Sequence, residues 1–193
     1  MTKQYIAVKN LAYAYAETSL FSALSFALPQ GRILQLTGKN GSGKTTLLQI
    51  LAGLKTPQGG KIVRDEEMPL AYVGHQNALK LELSPLENLR LYQPSASLCR
   101  EALESLELKK EFHEQPCYML SAGQQRKVSL SRLLLSDARL WLVDEPFTSL
   151  DESAKACVTA HLEAHAKKGG SAIVATHEPL EIKSPFLEKV LLS

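Results

Sequence analysis

The chain has 193 residues, 45% of them apolar, with a formal net charge of +2 and a sequence pI near 8.4. That length fits one domain with room for a small attached lobe, and the apolar fraction suffices for an ordinary packed core. The charge bias is too weak to argue for a nucleic-acid partner, and no run approaches the roughly 18 to 20 apolar residues that a membrane-spanning helix needs.

The opening MTKQYIAVKN has neither the charged start nor the apolar block of a signal peptide, so the chain reads as cytosolic, with any membrane contact made through a partner. Apolar alternation predicts strands at Gln4 to Val8 and Phe21 to Leu28, and Pro29-Gln30-Gly31 reads as a turn. Ile33 to Thr37 reads as a strand that feeds a glycine-rich run, Gly38 to Gly43. Lys44 to Ala52 reads as a helix stopped by Gly53. Pro57-Gln58-Gly59-Gly60 marks a further turn, and Leu70 to Val73 a short strand.

The texture then changes. Three helical patterns, Pro85 to Tyr92, Ser97 to Leu108 and Ala122 to Leu135, predict a helical lobe inserted over about residues 77–137. Leu140 to Val143 is wholly apolar, as in a strand covered on both faces. A helix from about Glu152 to Lys168 ends at Gly169-Gly170, and Ser171 to Thr176 is another buried strand. Strands alternating with helices predict an α/β fold with a largely parallel sheet, an antiparallel β portion at the N-terminus and the inserted lobe, all within one domain.

The chemistry concentrates in two places. Gly38-Lys39-Asn40-Gly41-Ser42-Gly43-Lys44-Thr45-Thr46 satisfies the P-loop pattern between a predicted strand and a predicted helix. Glycines let the backbone curl until successive N–H groups face one point, and the helix N-terminus adds its partial positive charge there. A triphosphate fits such a cradle, with Lys44 reaching the β- and γ-phosphates and the Thr45 hydroxyl coordinating Mg²⁺. The strand ending at Val143 delivers Asp144 and Glu145 at its carboxyl edge, where ligands bind in open α/β sheets. Asp144 is placed to hold Mg²⁺, directly or through water, and Glu145 to polarise an attacking water as general base.

Further motifs narrow the family. Leu120-Ser121-Ala122-Gly123-Gln124 opens a predicted helix shortly before the Asp144 strand. Gln76 follows the strand at Leu70, Ser149-Leu150-Asp151 follows Glu145, and His177 ends the strand Ser171 to Thr176. In this order, spread from about residue 6 to 180, they resemble the ABC ATPase superfamily. Leu120 to Gln124 looks like the signature motif, with Ala122 where the first glycine is usual; Gln76 looks like the Q-loop glutamine, Ser149 to Asp151 the D-loop, and His177 the switch histidine. The resemblance implies a Mg²⁺-dependent ATPase in which Gln76 joins Thr45 and Asp144 around the metal. An aromatic stacks on adenine, either Tyr15 or Tyr13. It also implies that the signature motif caps the ATP of an opposing subunit, so that two head-to-tail copies bury two ATP molecules.

Several segments resemble a narrower group, the ATP-binding subunit of the cytochrome c maturation system. They are Tyr72-Val73-Gly74-His75-Gln76, Leu79 to Leu89, the signature with Gln125-Arg126-Lys127-Val128, and Leu140 to Asp151. This resemblance implies a homodimer docked on an integral membrane permease subunit at the cytoplasmic face of a bacterial inner membrane. There it would drive haem export or the release of a haem-loaded chaperone. Asn77 to Leu91 would form the transmission surface, supported if Leu79, Leu81, Leu83 and Leu86 are exposed and weakened if they are buried. A soluble ABC ATPase, a small-molecule P-loop kinase and a transporter motor for another cargo are the rival readings. Cys99, Cys117 and Cys157 are too scattered for a disulfide framework or metal site. His161 and His165, four apart on one helix, read as a solvated face.

Overall fold

The computed structural model describes residues 4–15, 18–65, 67–182 and 185–192. Two sheets and a helical layer share three apolar clusters. The smaller sheet is antiparallel, in the order β2 (Thr18–Pro29), β1 (Gln4–Tyr15), β4 (Gly59–Arg64). The larger is parallel, in the order β5 (Leu70–Val73), β6 (Leu140–Asp144), β7 (Ser171–Ala175), β3 (Ile33–Gly38), β8 (Leu187–Leu192).

Every residue of β6 and β7 is buried because the sheet is covered on both faces. Alternation divides their side chains. Leu140, Leu142 and Ile173 join the cluster beneath helix α1 (Lys44–Leu51) and the antiparallel sheet. Trp141, Val143 and Val174 join the one beneath helix α5 (Glu152–Lys167). Helices α2 (Pro85–Arg90), α3 (Ala96–Ser105) and α4 (Ala122–Leu134) enclose the third cluster, built on Leu86, Leu89, Leu103 and Val128.

Register is what positions the site. Leu36 pairs with Ala175, Asp144 with Ala175, and Val73 with Val143. Strands β5, β6, β7 and β3 therefore finish along one edge. From it emerge Gly74 to Gln76, Asp144-Glu145, Thr176-His177 and the P-loop.

Several expectations are revised. Strand β1 runs on to Tyr15, past the expected Val8. The expected turn Pro57 to Gly60 hands over at Gly59 to β4, which the sequence did not announce. Strand β8 was likewise not foreseen. The expected helix Ser97 to Leu108 stops at Ser105, because Leu108 turns back into the lobe's core through a left-handed Glu107, φ 58°. His161 and His165 do not form a solvated face. The His165 ring stacks on Trp141 with centroids 3.8 Å apart and planes at 9°, and burial pushes its pKa below the usual histidine value. His161 places Nε2 2.9 Å from the Ser105 carbonyl. Cys99 and Cys117 are buried free thiols, and burial pushes Cys117 up to about 11.

Candidate nucleotide-binding site

Helix α1 begins at Gly43, whose φ of 93° suits glycine, and no side chain caps its first turn. The first-turn amides thus stay open for an anion, and no acidic residue opposes one. Lys44 is buried at 7% exposure and folds over the loop, donating to the carbonyls of Gly38 at 3.0 Å and Lys39 at 3.3 Å. Its Nζ also lies 3.1 Å from His177 Nε2.

The Thr45 hydroxyl donates to Asp144 Oδ2 at 2.8 Å. Asp144 is fully buried, yet its Oδ1 has no partner. A buried carboxylate oxygen left unsatisfied is costly, and a hard cation is the ligand that suits it. Glu145 stands in left-handed backbone, φ 47°, held by its N–H donating to the Ala175 carbonyl at 2.7 Å. Its Oε1 lies 3.5 Å from His177 Nε2, so His177 stands between the lysine and the glutamate. Lys44, Thr45, Thr46, Glu145 and His177 share an open cleft of about 500 Å³ with Asn40, Gly41 and Gly43. Gly38, Lys39 and Ser42 build the rest of the loop, with Ser42 N–H closing a turn on the Lys39 carbonyl.

Tyr15 lines the same cleft and is 60% exposed, with Lys55 Nζ 4.8 Å from its ring centre. Tyr13 instead packs toward Phe21 against the core, which leaves Tyr15 as the aromatic available to a base. Gln76 is not in this cleft. It lines a neighbouring one of about 520 Å³ with Thr45 and Tyr72, and His75 borders both. Sequence reasoning missed His75 and Leu20 as lining residues. His75 stood beside Gln76 in a quoted motif, but nothing in its spacing marked it.

The remaining motifs lie outside the cleft. Ser121 is an exposed helix cap for α4: its Oγ accepts from Gln124 N–H at 3.2 Å, and Gln124 Oε1 accepts from Ser121 N–H at 2.8 Å. Leu120 is buried as its anchor, and Ala122 is the exposed first helical residue, a place where a methyl group meets no backbone strain. Gly123 cannot carry a side chain, because a Cβ there would run into the Ser149 carbonyl. Ser149, at φ 65°, is exposed, Leu150 is buried, and Asp151 caps α5 by accepting from Ala154 N–H at 2.8 Å. The signature and the D-loop thus touch each other, while neither lines the nucleotide cleft of this subunit.

The expected transmission surface is split. Leu86 is buried and Leu79 packs on the lobe's core, whereas Leu81 is 43% exposed. Leu81 accepts from Tyr118 N–H, and Tyr118 and Met119 are both more than 60% exposed.

The profile of the ABC transporter family matches residues 21–148. The cytochrome c biogenesis ATP-binding export protein CcmA of Escherichia coli strain K12 is 41% identical over 189 residues, 92% of this chain and 91% of that one. The protein of the same name from Tatumella citrea is 40% identical over 197 residues, 96% and 94% of the two chains. Among solved structures, the ATP-binding cassette MJ0796 matches as a dimer in a post-hydrolysis state bound to ADP and Pi, with a TM-score of 0.78. A second dimeric structure of that cassette gives 0.80; in both, identity is 24% and coverage 90% of this chain and 88% of that one.

Proposed function

This chain belongs to the ABC transporter family, and we propose that it is the ATP-hydrolysing motor subunit of an export complex serving cytochrome c-type biogenesis. The observation that carries the reading is a division of labour. One cleft gathers Lys44, Thr45, Glu145 and His177 over the buried Asp144 that Thr45 bonds, while the Ser121 helix tip stands exposed outside it. A site so divided is completed by a second copy placed head to tail, its Ser121 tip over this subunit's γ-phosphate.

ATP lies with its base on Tyr15 and its phosphates along Gly38 to Thr46, where loop amides and Lys44 compensate its charge. Thr45 and Asp144, with Gln76 of the adjoining cleft, would hold Mg²⁺, which would offset negative charge on the phosphate oxygens. Glu145 takes a proton from the attacking water, and His177, between Lys44 and Glu145, orients the γ-phosphate. Leu120 to Gln124 and Ser149 to Asp151 serve the opposite subunit's nucleotide.

The relatives' role in cytochrome c biogenesis suggests the cargo side: haem export, or release of a haem-loaded chaperone. No described helix is long and apolar enough to cross a membrane. The relatives' naming as export proteins supports an integral membrane permease subunit as partner, docking on the exposed apolar surface of Leu81, Tyr118 and Met119 at the cytoplasmic face of a bacterial inner membrane.

Replacing the base tests the reading. Glu145→Gln is expected to keep MgATP binding, lower turnover about a hundredfold or more, and trap a dimer on gel filtration with MgATP. A variant that stays monomeric with bound MgATP would sink it.

A further inference from the structure

Helix α4 carries a buried charge with no role of its own legible in the sequence. Arg126 is only 2% exposed and lies one turn and a half behind the Ser121 tip. One nitrogen of its guanidinium, Nη1, donates to the Gly74 carbonyl at 2.8 Å and to Asn77 Oδ1 at 3.3 Å. The other, Nη2, donates to the carbonyls of Asp144 at 2.5 Å and Glu145 at 3.1 Å. The fork therefore joins two segments that carry site residues, the one around Gln76 and the one that carries Glu145.

Three features make this more than a buried structural bond. Its acceptors at 144 and 145 sit at the left-handed turn that aims the Glu145 side chain. Gln76 is bracketed by Gly74 and Asn77, so the arginine fixes both ends of the segment carrying it. A second arginine of the same helix, Arg132, adds to the grip by donating to the carbonyls of Asn77 at 2.6 Å and Ala78 at 3.4 Å. Desolvation pulls the Arg126 pKa down to about 10, which still leaves it charged at neutral pH. A buried charge with several carbonyl acceptors is costly to leave half satisfied, so its bonds tend to move together.

We propose that Arg126 is a positioning residue that couples the two ATP sites of the dimer. It ties the Glu145 turn and the Gln76 segment of one site to the helix whose Ser121 tip completes the other. A rotation of α4 driven at one nucleotide is thereby transmitted to the base and Q-loop at the second. This rests on the head-to-tail reading above, and it assigns to one side chain a link between sites which that reading leaves open.

The test uses full-length mixed dimers purified through two different affinity tags. One subunit carries Glu145→Gln and the other is wild type, so that turnover comes from the wild-type base alone. Arg126→Met is then added to the Glu145→Gln subunit, away from the working base but on the helix whose tip serves it. The expected result is a fall of about tenfold in kcat with the KM for ATP unchanged, within the range of measured site-to-site couplings. An unchanged kcat would overturn the coupling, since Arg126 would then act only on its own subunit. If Arg126→Met fails to melt cooperatively, Arg126→Lys, which keeps the charge but loses the fork, is read in the same way. A reference pair that does not associate with MgATP would sink the head-to-tail reading first, and the coupling with it.

Discussion

Two helix beginnings in this chain are built in opposite ways. Helix α1 starts at a glycine with no side-chain cap, and beneath it Asp144 keeps an unpartnered carboxylate oxygen. Helix α4 starts at a serine locked in a reciprocal capping box with Gln124. The first end is left unsatisfied within its own subunit, and in the function proposed above phosphate and metal complete it. The second is complete alone and stands in solvent, where the proposed head-to-tail pairing would bring a partner's nucleotide. Its Ser121 oxygen accepts within the cap while the hydroxyl proton stays free to donate outward. A permanent site and a visiting one thus differ in whether the helix end is stable without its ligand.

The comparison can be broken most sharply at Ser121. Ser121→Ala removes both cap and donor, and should cost about 1 kcal/mol of stability and about a hundredfold in turnover. Ser121→Asp keeps a good cap but sets a carboxylate against a γ-phosphate, so melting should recover while turnover stays lost. Thermal melting alongside steady-state ATPase separates the two roles, and recovery of turnover by the aspartate would show that only the cap matters. Next comes the unsatisfied end. Wild-type chain at a hundredfold excess of MgATP over Kd should gain about 2.7 kcal/mol. Asp144→Asn should lose the part of that gain that disappears when EDTA is added, as read by melting with and without the chelator. A third break lies at the contact between the Gly123 and Ser149 loops, and it should leave ATP binding untouched. Gly123→Ala pushes a methyl group into the Ser149 carbonyl and should destabilise by about 1–3 kcal/mol in urea unfolding. MgATP affinity of the isolated subunit should not change.

Much of the cleft was legible because its logic is local. A strand, a glycine loop and a helix are contiguous, and Asp144-Glu145 follow an apolar run that can only be a covered strand. Edge strands β2 and β5 were legible, but edge strands β4 and β8 were not. Strand β4 has only Ile62 and Val63 between Lys61 and Arg64, and β8 carries Glu188 and Lys189, so neither offers the four-residue apolar run that marked β6. Helix faces were the other failure. His165 at a four-residue spacing from His161 looks like any solvated pair, until a strand brings Trp141 under its ring. Arg126 shows the same gap: its four acceptors come from segments 18 to 52 positions away in the chain. Leu86 and Leu81 divided between core and surface for a like reason, since α2 turns Leu86 into the lobe's core while Leu81 sits in the turn before it.

The left-handed turn at Glu145 has a consequence for how such a chain can vary. A non-glycine residue in that conformation costs roughly 1–2 kcal/mol, and only glycine, asparagine or aspartate relieve it readily. Selection for heat resistance alone would therefore favour replacing the glutamate proposed above as the general base. At this one position endurance and chemistry pull in opposite directions, and retaining glutamate there is the mark of a chain kept for its work.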